Sequence, residues 1–287
     1  MNILKHRAGL IQIHTAVLLA GGVGLFAKLI AAGPMVITCG RTAFGGIALA
    51  VAAALTRSSL RVARWQDMLM LALSGVILAL HWFTFFQSIQ VSTVALGLLA
   101  FSTFPLFVTF LEPVIFKESL HRRNVISALV VVAGLVLVTP KFDIRNHLTQ
   151  GVLWGIVSAF TFALLSLLSR SYVRKYPAIT VAFYQQIFAT LCTLPVAFQW
   201  KSAVTGWDIL LLMVLGVIFT ALAQGLVVAS LRTLRAQTAS IVFGLEPVYG
   251  ILLAWILLHE TPSLRTISGG ALILGAVLWA SFTHRAD

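Results

Sequence analysis

Two charged side chains interrupt long apolar stretches of this sequence and are well placed to do chemistry. Glu246 lies near the middle of the apolar stretch 235–258, and Arg41 lies inside the stretch 35–56. An ionised group in hydrocarbon costs roughly a few kcal/mol, so it must be paired, hydrated or neutralised. We therefore expect Glu246 to face a cavity or carry a proton, with a structural carboxylate as the alternative. Arg41 is expected to bind a carboxylate, of a bound molecule or of an acidic side chain.

Polar and aromatic side chains in other apolar stretches form a second group of candidates. A helix over 67–88 places His81 near its middle, one turn from Phe85 on the same face. Simple packing is the alternative for the aromatic residues. Pro105 and Pro247 each remove a backbone hydrogen bond, so they are candidate gating kinks, or static kinks. The residues expected to line a cavity are Glu246, Tyr249, His81, Phe85, Phe101, Phe104, Trp154, Arg41, Gln224 and Tyr184.

Motifs for other kinds of chemistry are missing from the sequence. It contains no Walker loop, no metal-ligand cluster and no nucleophile, base and acid set at a plausible spacing. The two cysteines, Cys39 and Cys192, both lie inside apolar stretches and indicate neither a disulfide framework nor a metal site. We therefore predict no enzymatic activity, no metal and no cofactor.

The composition determines which elements must position these residues. Of the 287 residues, 60% are hydrophobic and 10% are charged, whereas soluble domains carry roughly 25% charged residues. Such a chain is neither a soluble domain nor disordered, and its unbroken apolar runs favour membrane-spanning helices. The predicted fold is all-α with ten transmembrane helices, at about 9–32, 35–56, 67–88, 92–116, 124–140, 149–170, 177–200, 208–230, 235–258 and 266–284.

The basic residues predict the orientation of these helices. Of the 20 Lys and Arg residues, fourteen fall in loops on one side of the ten-helix arrangement and four on the other, while Lys28 and Arg41 lie within helices. Positive residues accumulate on the cytoplasmic side, so both termini are expected in the cytoplasm. The net charge of +12 is thereby explained without a nucleic-acid partner.

An internal repeat with an offset of 142 residues divides the chain into halves 1–140 and 141–287. Five predicted helices separate equivalent positions, and because five is odd the second half is inverted relative to the membrane. Inverted repeats are typical of secondary transporters, whose substrate site lies near the bilayer midplane. The recurring residues are Trp65, Pro105 and Glu118 in the first half and Trp207, Pro247 and Glu260 in the second.

These residues resemble the EamA repeats of the drug/metabolite transporter superfamily. The resemblance rests on Pro105 to Glu118 at the end of the fourth helix and on Leu245-Glu246-Pro247-Val248 through Leu258-His259-Glu260 at the end of the ninth. Gly134 and Gly275 follow in the next helices. The first half departs from the pattern, because Phe104 stands where the second half has Glu246.

The resemblance implies a secondary active transporter that exports small metabolites, such as amino acids, across a bacterial-type inner membrane by alternating access. A carrier of drugs, cations, nucleosides or sugars, or an importer, is the alternative. A channel or a non-transporting membrane protein fits the sequence less well. The expected partners are a small-molecule substrate, the lipid bilayer and, as a candidate coupling ion, the proton. The protein is expected to be a monomer or homodimer.

Overall fold

The computed structural model describes residues 3–116, 122–139, 143–199, 204–230 and 242–283. Within these ranges the chain is helical and contains no strand. A π-helical turn, Val217–Leu222, joins the ninth helix to the tenth. The helices are α1 (Ile3–Leu29), α2 (Pro34–Leu55), α3 (Trp65–Val91), α4 (Val94–Phe101), α5 (Phe104–Phe116), α6 (Arg122–Val138), α7 (His147–Tyr172), α8 (Ala178–Gln199), α9 (Gly206–Gly216), α10 (Ala223–Ser230), α11 (Glu246–Leu258) and α12 (Leu264–Thr283).

Seven helical stretches in the described ranges are long and apolar enough to cross a membrane, counting α4 with α5 and α9 with α10. Three shorter apolar helices, Val125–Val138, Glu246–Leu258 and Leu264–Ala276, occupy other predicted membrane helices. The all-helical membrane fold is therefore confirmed, while the count of ten stays a prediction. The first part of the predicted ninth helix, 235–241, and Glu118 lie outside the described residues.

The surface and interior of the bundle have the polarity that a lipid environment requires. Large apolar side chains point outward, such as Leu129 at 65% exposure and Ile256 at 61%. Small hydroxyl side chains are buried instead, including Thr84, Ser88 and Ser158. Each of these hydroxyls has a hydrogen-bond partner within the bundle, as buried polar groups need.

The neighbours of each helix follow the 142-residue repeat. In the first half α1 packs against α10 and α11, and its counterpart α7 packs against α3, α4 and α5. The pairs α2 with α8 and α6 with α12 join each helix to its own counterpart. Helices beside a two-fold axis pack in this way, so the two-repeat architecture is present in the packing as well as in the sequence.

Both halves interrupt a helix at equivalent positions. In the first half α4 and α5 are separated at Ser102–Thr103, and 142 residues later a turn at Gly244–Leu245 precedes α11. Pro105 and Pro247 therefore stand in the first turn of α5 and α11, where the missing backbone N–H has no intrahelical acceptor to lose. The two prolines therefore do not kink a continuous helix, as the sequence suggested they would. Each follows a break, at the start of a new helix.

Candidate functional site

A central cavity lies between the two halves and is walled by both. It has a main chamber of about 420 Å³ and an adjoining chamber of about 380 Å³, which share Phe101, Phe104, Phe162, Phe243 and Glu246. The walls of the main chamber come from α1 to α5 of the first half and from α7, α8, α10 and α11 of the second, with the π-helical turn. Chambers of this size suit a small metabolite.

Arg41 is held in the main chamber by the buried face of α2. Thr38, Arg41 and Gly45 follow one another at helical spacing on that face. The Arg41 side chain is 3% exposed, and its guanidinium carbon lies 3.3 Å from the centroid of the Trp82 ring on α3. Its Nε and Nη1 atoms are buried without a hydrogen-bond acceptor. The guanidinium is thus held against the Trp82 ring while two of its three nitrogens have no acceptor among the described residues.

Glu246 supplies the acidic group of the cavity, as the first residue of α11. The turn at Gly244–Leu245 starts a new helix here, so the carboxylate lies in a first turn, where the helix dipole favours negative charge. Glu246 and Arg41 line the same chamber, yet neither forms an ion pair with a described residue. The cavity therefore holds one acid and one base that interact electrostatically without forming a close ion pair.

Aromatic rings form the wall between α3, α4 and α7. The His81 ring lies 4.9 Å from the ring of Phe162 and 5.4 Å from that of Phe101, measured between centroids. Phe101 and Phe104 stack across the break between α4 and α5, with centroids 5.4 Å apart. The Nδ1 atom of His81 is 2.9 Å from the hydroxyl of Ser158 on α7. This hydrogen bond gives the buried imidazole its partner.

Comparison with known proteins decides what kind of molecule has this cavity. The model of the EamA-like transporter family matches residues 7–139 and again residues 149–282. The chain belongs to this family. The resemblance expected from the sequence is confirmed, and the protein is a transporter of the drug/metabolite superfamily.

Several relatives show the range of this transporter family. An S-adenosylmethionine uptake transporter of Rickettsia felis is 25% identical over 213 residues, covering 74% of this chain and 71% of its own. An uncharacterized transporter of Archaeoglobus fulgidus is 27% identical over 274 residues, 96% of each chain. The pseudopaline exporter CntI of Pseudomonas aeruginosa is 25% identical over 77% of each. A crystal structure with a TM-score of 0.69 and 22% identity over 97% of each chain shows the same fold.

The cavity of the transporter brings most of the sequence-predicted residues together. Its main chamber contains Arg41, His81, Phe85, Phe101, Phe104, Gln224 and Glu246, and the adjoining chamber contains Pro105 and Pro247.

Three predicted residues have partners outside the described cavity lining. The Tyr249 hydroxyl is 2.8 Å from Nδ1 of His14, on α1. Trp154 packs edge to face on Phe83, and Tyr184 donates a hydrogen bond to the carbonyl oxygen of Leu60. These contacts hold neighbouring helices and the α2–α3 loop together.

Sequence reasoning missed several large side chains of the main chamber, among them four residues: Trp82, Phe162, Gln186 and Phe219. A signal was present for one of them. Ser158, Phe162 and Ser166 recur every four residues on α7, which marks one polar-lined helix face. Trp82, Gln186 and Phe219 have no such pattern around them, because the helices that carry them are apolar on several faces.

The cavity extends toward one end of the bundle and is closed at the other. Its lining reaches Ser169 near the end of α7 and Ala182 near the start of α8. At the opposite end, Lys28 Nζ donates to the carbonyl of Ser92 at 2.9 Å, and Gln90 Nε2 donates to that of Ala32 at 2.8 Å. We call these contacts, together with those of Asp208 and Glu260 described next, the seal.

Two carboxylates complete the seal by accepting backbone N–H groups. Asp208 at the start of α9 accepts from Ala31 in the α1–α2 turn at 3.0 Å, and Glu260 accepts from Val94 at the start of α4 at 2.9 Å. Each bond joins one half to the other. Glu260 thus caps the start of α4 from the other half of the chain.

Asp67 makes the corresponding connection at the other end of the bundle. It lies at the start of α3 and accepts from Lys175 Nζ at 3.2 Å and from the Tyr176 hydroxyl at 2.8 Å, both in the α7–α8 connection. The hydrogen bond to Asp67 raises the pKa of the Tyr176 hydroxyl. Asp67 thus fastens the α7–α8 connection, and Asp208 fastens the α1–α2 connection at the opposite end of the bundle. In both cases the connection follows the first helix of the other half.

We expect Glu260→Ala to weaken the seal and open the cavity at that end. The change removes the acceptor for the Val94 N–H, and losing such a helix cap costs about 0.5–2 kcal/mol, or about 2- to 30-fold in population. An impermeant thiol reagent added from the sealed side should therefore label a cysteine placed at Phe85 faster, in a background without the two native cysteines.

Asp143→Ala is the matched control for this measurement. Asp143 accepts a hydrogen bond from the backbone N–H of Arg145, two residues away in its own loop. Removing it leaves the seal intact, so labelling should match the parent protein. Equal labelling of the Glu260→Ala and Asp143→Ala proteins would contradict the role of Glu260.

Proposed function

We propose that this transporter is a secondary carrier that exports a small polar or amphipathic metabolite, such as an amino acid, by alternating access. The observation that carries the proposal is the central cavity, which both halves wall and the seal closes at one end. Alternating access requires a site that each half can expose in turn. The matched relatives include an uptake transporter and an exporter, so export remains part of the proposal.

The proposed architecture is ten membrane helices in two inverted halves, 1–140 and 141–287, with both termini in the cytoplasm. The equivalent helix breaks and the reciprocal packing of α1 and α7 support two related halves. Asp67 and Asp208, which make corresponding contacts at opposite ends, support the inversion. With this orientation the cavity of the structure faces the cytoplasm and the seal lies on the periplasmic side of the inner membrane.

Reporter fusions test this topology. Fusions at residue 145 and residue 203 should report the periplasmic side, because both loops follow helices that leave the cytoplasm. A fusion at Ser59, in the α2–α3 loop, should report the cytoplasm and serves as the control. A cytoplasmic signal at residue 145 or residue 203 would overturn the inverted arrangement.

We propose that protons drive this carrier and that Glu246 carries them. The carboxylate lines the cavity and has no ion-pair partner in the part of the chain that the structure describes, so it is exposed to one side when the cavity opens there. The break before α11 gives the chain a place to bend beside Glu246 as the cavity changes sides. The equivalent position in the first half is Phe104, which has no carboxylate, so Glu246 is the single proton carrier in this proposal.

Counterflow in proteoliposomes tests the carrier hypothesis. Liposomes with purified protein are loaded with unlabelled L-phenylalanine, L-methionine or S-adenosylmethionine, and the labelled compound is added outside. A carrier should give a transient, saturable accumulation of label, whereas a channel gives simple equilibration. Absence of saturable counterflow for every compound, including tetraphenylphosphonium as a cationic probe, would overturn the proposal.

A further inference from the structure

The guanidinium of Arg41 has hydrogen-bonding capacity that the protein does not use. Two of its nitrogens are buried without an acceptor among the described residues, and the same holds for the indole Nε1 of Trp82 beside it. Leaving a buried donor unsatisfied is unfavourable, and more so when the group is charged. Arg41 and Trp82 both line the main chamber. An acceptor carried by a bound molecule would satisfy these donors.

The shape of the guanidinium selects the kind of acceptor. Its plane is fixed by the Trp82 ring, 3.3 Å from the guanidinium carbon. A planar carboxylate matches such a guanidinium with two parallel hydrogen bonds, which a single ammonium in the same place would not form. The indole N–H adds a further donor in the same region.

The charge of the chamber argues for a carboxylate over a phosphate. Among the described lining residues Arg41 is the one cation, and the acidic Glu246 shares the chamber with it. A phosphate dianion would face a single positive charge and a nearby acid. A carboxylate carries one negative charge, which Arg41 balances.

The surroundings of Arg41 also indicate what else the bound molecule carries. Gln186 lines the chamber, and no described residue donates a hydrogen bond to its buried Oε1, so this oxygen is available to an N–H group. The rings of Phe85, Phe101 and Phe162 provide an apolar wall beside the charged pair. A carboxylate, an amino group and an apolar body together describe a hydrophobic amino acid or a derivative of one.

We propose that Arg41, held on Trp82, forms the subsite for the carboxylate of the transported molecule. The inference rests on the proposed carrier function, and it requires the substrate of that carrier to have a carboxylate. Neutral amides and amines that lack the carboxylate are therefore poor ligands, even where the rest of the molecule is the same. Glu246 is not part of this subsite.

Paired ligands test the subsite by binding to the purified protein, measured as thermal stabilisation and Trp fluorescence. The pairs are L-phenylalanine with L-phenylalaninamide and L-methionine with L-methioninamide. A charge-assisted pair contributes about 1.5–3 kcal/mol, so each acid should bind about 10- to 150-fold more tightly than its amide. Equal binding of acid and amide, or no binding of either acid, would overturn the subsite.

Variants assign the preference to Arg41. Arg41→Gln should bind acid and amide equally, and Arg41→Lys should keep the charge but lose most of the preference with the planar contact. Arg61→Gln, at an exposed position in the α2–α3 loop, should behave as the parent protein. An unchanged preference in Arg41→Lys and in Trp82→Phe would contradict the assignment even if Arg41→Gln does not fold.

Failure of the subsite and failure of the carrier hypothesis are distinguishable. Saturable counterflow of the amides at the rate of the acids would keep the carrier and reject the subsite. Selective binding of the acids without counterflow of any compound would keep the subsite and reject the carrier.

Discussion

Glu246→Gln should abolish transport driven by a pH gradient while saturable exchange of substrate continues. The carboxylate lines the cavity at the start of α11 and has no ion-pair partner among the described residues. An amide has the same shape and keeps much of the hydrogen bonding, but it does not bind and release a proton near neutral pH. A carrier without its proton site then still exchanges substrate across the membrane, but it no longer concentrates it.

The measurement uses proteoliposomes with and without an imposed pH gradient. The parent protein should accumulate label above equilibrium only with the gradient, and the Glu246→Gln protein should equilibrate label in both cases. Asp143→Asn, in an exposed loop, is the control and should accumulate label as the parent does. The Asp143→Asn and Glu246→Gln proteins should both prefer acids over amides as strongly as the parent does, because Arg41 is unchanged in them.

Three other outcomes would each change the assignment of Glu246. Full gradient-driven transport by Glu246→Gln would reject the coupling role. Loss of exchange together with gradient-driven transport would indicate that Glu246 contacts the substrate directly. Failure of the variant to insert or fold would indicate a structural carboxylate between helices.

The charged residues of the site were the ones that the sequence predicted best. Arg41 and Glu246 could be selected because a charge within an apolar stretch has few acceptable environments, and a shared cavity is one of them. Trp154 and Tyr184 lacked such a constraint. A membrane helix is apolar toward lipid and largely apolar toward its neighbours, so the sequence pattern does not determine which face an aromatic side chain occupies.

The break between α4 and α5 shows why local signals were insufficient for the backbone. Ser102 and Thr103 are not strong helix breakers, and their hydroxyls donate to the carbonyls of Leu98 and Ala100, both at 2.7 Å. The backbone N–H groups of Ser102 and Thr103 bond to the same two carbonyls, so the hydroxyls add a second hydrogen bond to each where α4 ends. The equivalent turn in the second half contains Gly244. The repeat offset therefore indicates a helix break at Ser102–Thr103, which the local sequence of the first half does not.

Gly21→Val should destabilise the transporter more than other single changes on α1. A side chain at Gly21 would place its first carbon 2.7 Å from the carbonyl oxygen of Glu246 and 2.8 Å from the backbone nitrogen of Gly250. Both atoms belong to the backbone of α11, so no side-chain rotation relieves the contact. Small residues permit such close helix approach in membranes, as the cluster at Gly21, Gly22 and Gly24 indicates from the sequence alone.

The expected loss is about 3 kcal/mol or more, at the upper end of the cost of overpacking. It should appear as a lower unfolding temperature and a smaller folded fraction after purification in detergent. Gly275→Val is the matched control, because a side chain at Gly275 meets no described atom within 4 Å, and its unfolding temperature should stay close to that of the parent. Equal stability of the two variants would show that α1 and α11 do not need this contact.

Gly21→Val should also affect the cavity, because it displaces the backbone of Glu246. The atom that the Gly21 side chain would displace is the carbonyl oxygen of Glu246, and Ala20 beside it lines the main chamber. Any Gly21→Val protein that folds should therefore lose gradient-driven transport as α11 moves away from α1. A milder Gly21→Ala protein should lose less of both stability and transport, because Ala adds one carbon atom instead of three. Stability that falls without any loss of transport would separate the helix contact from the position of Glu246.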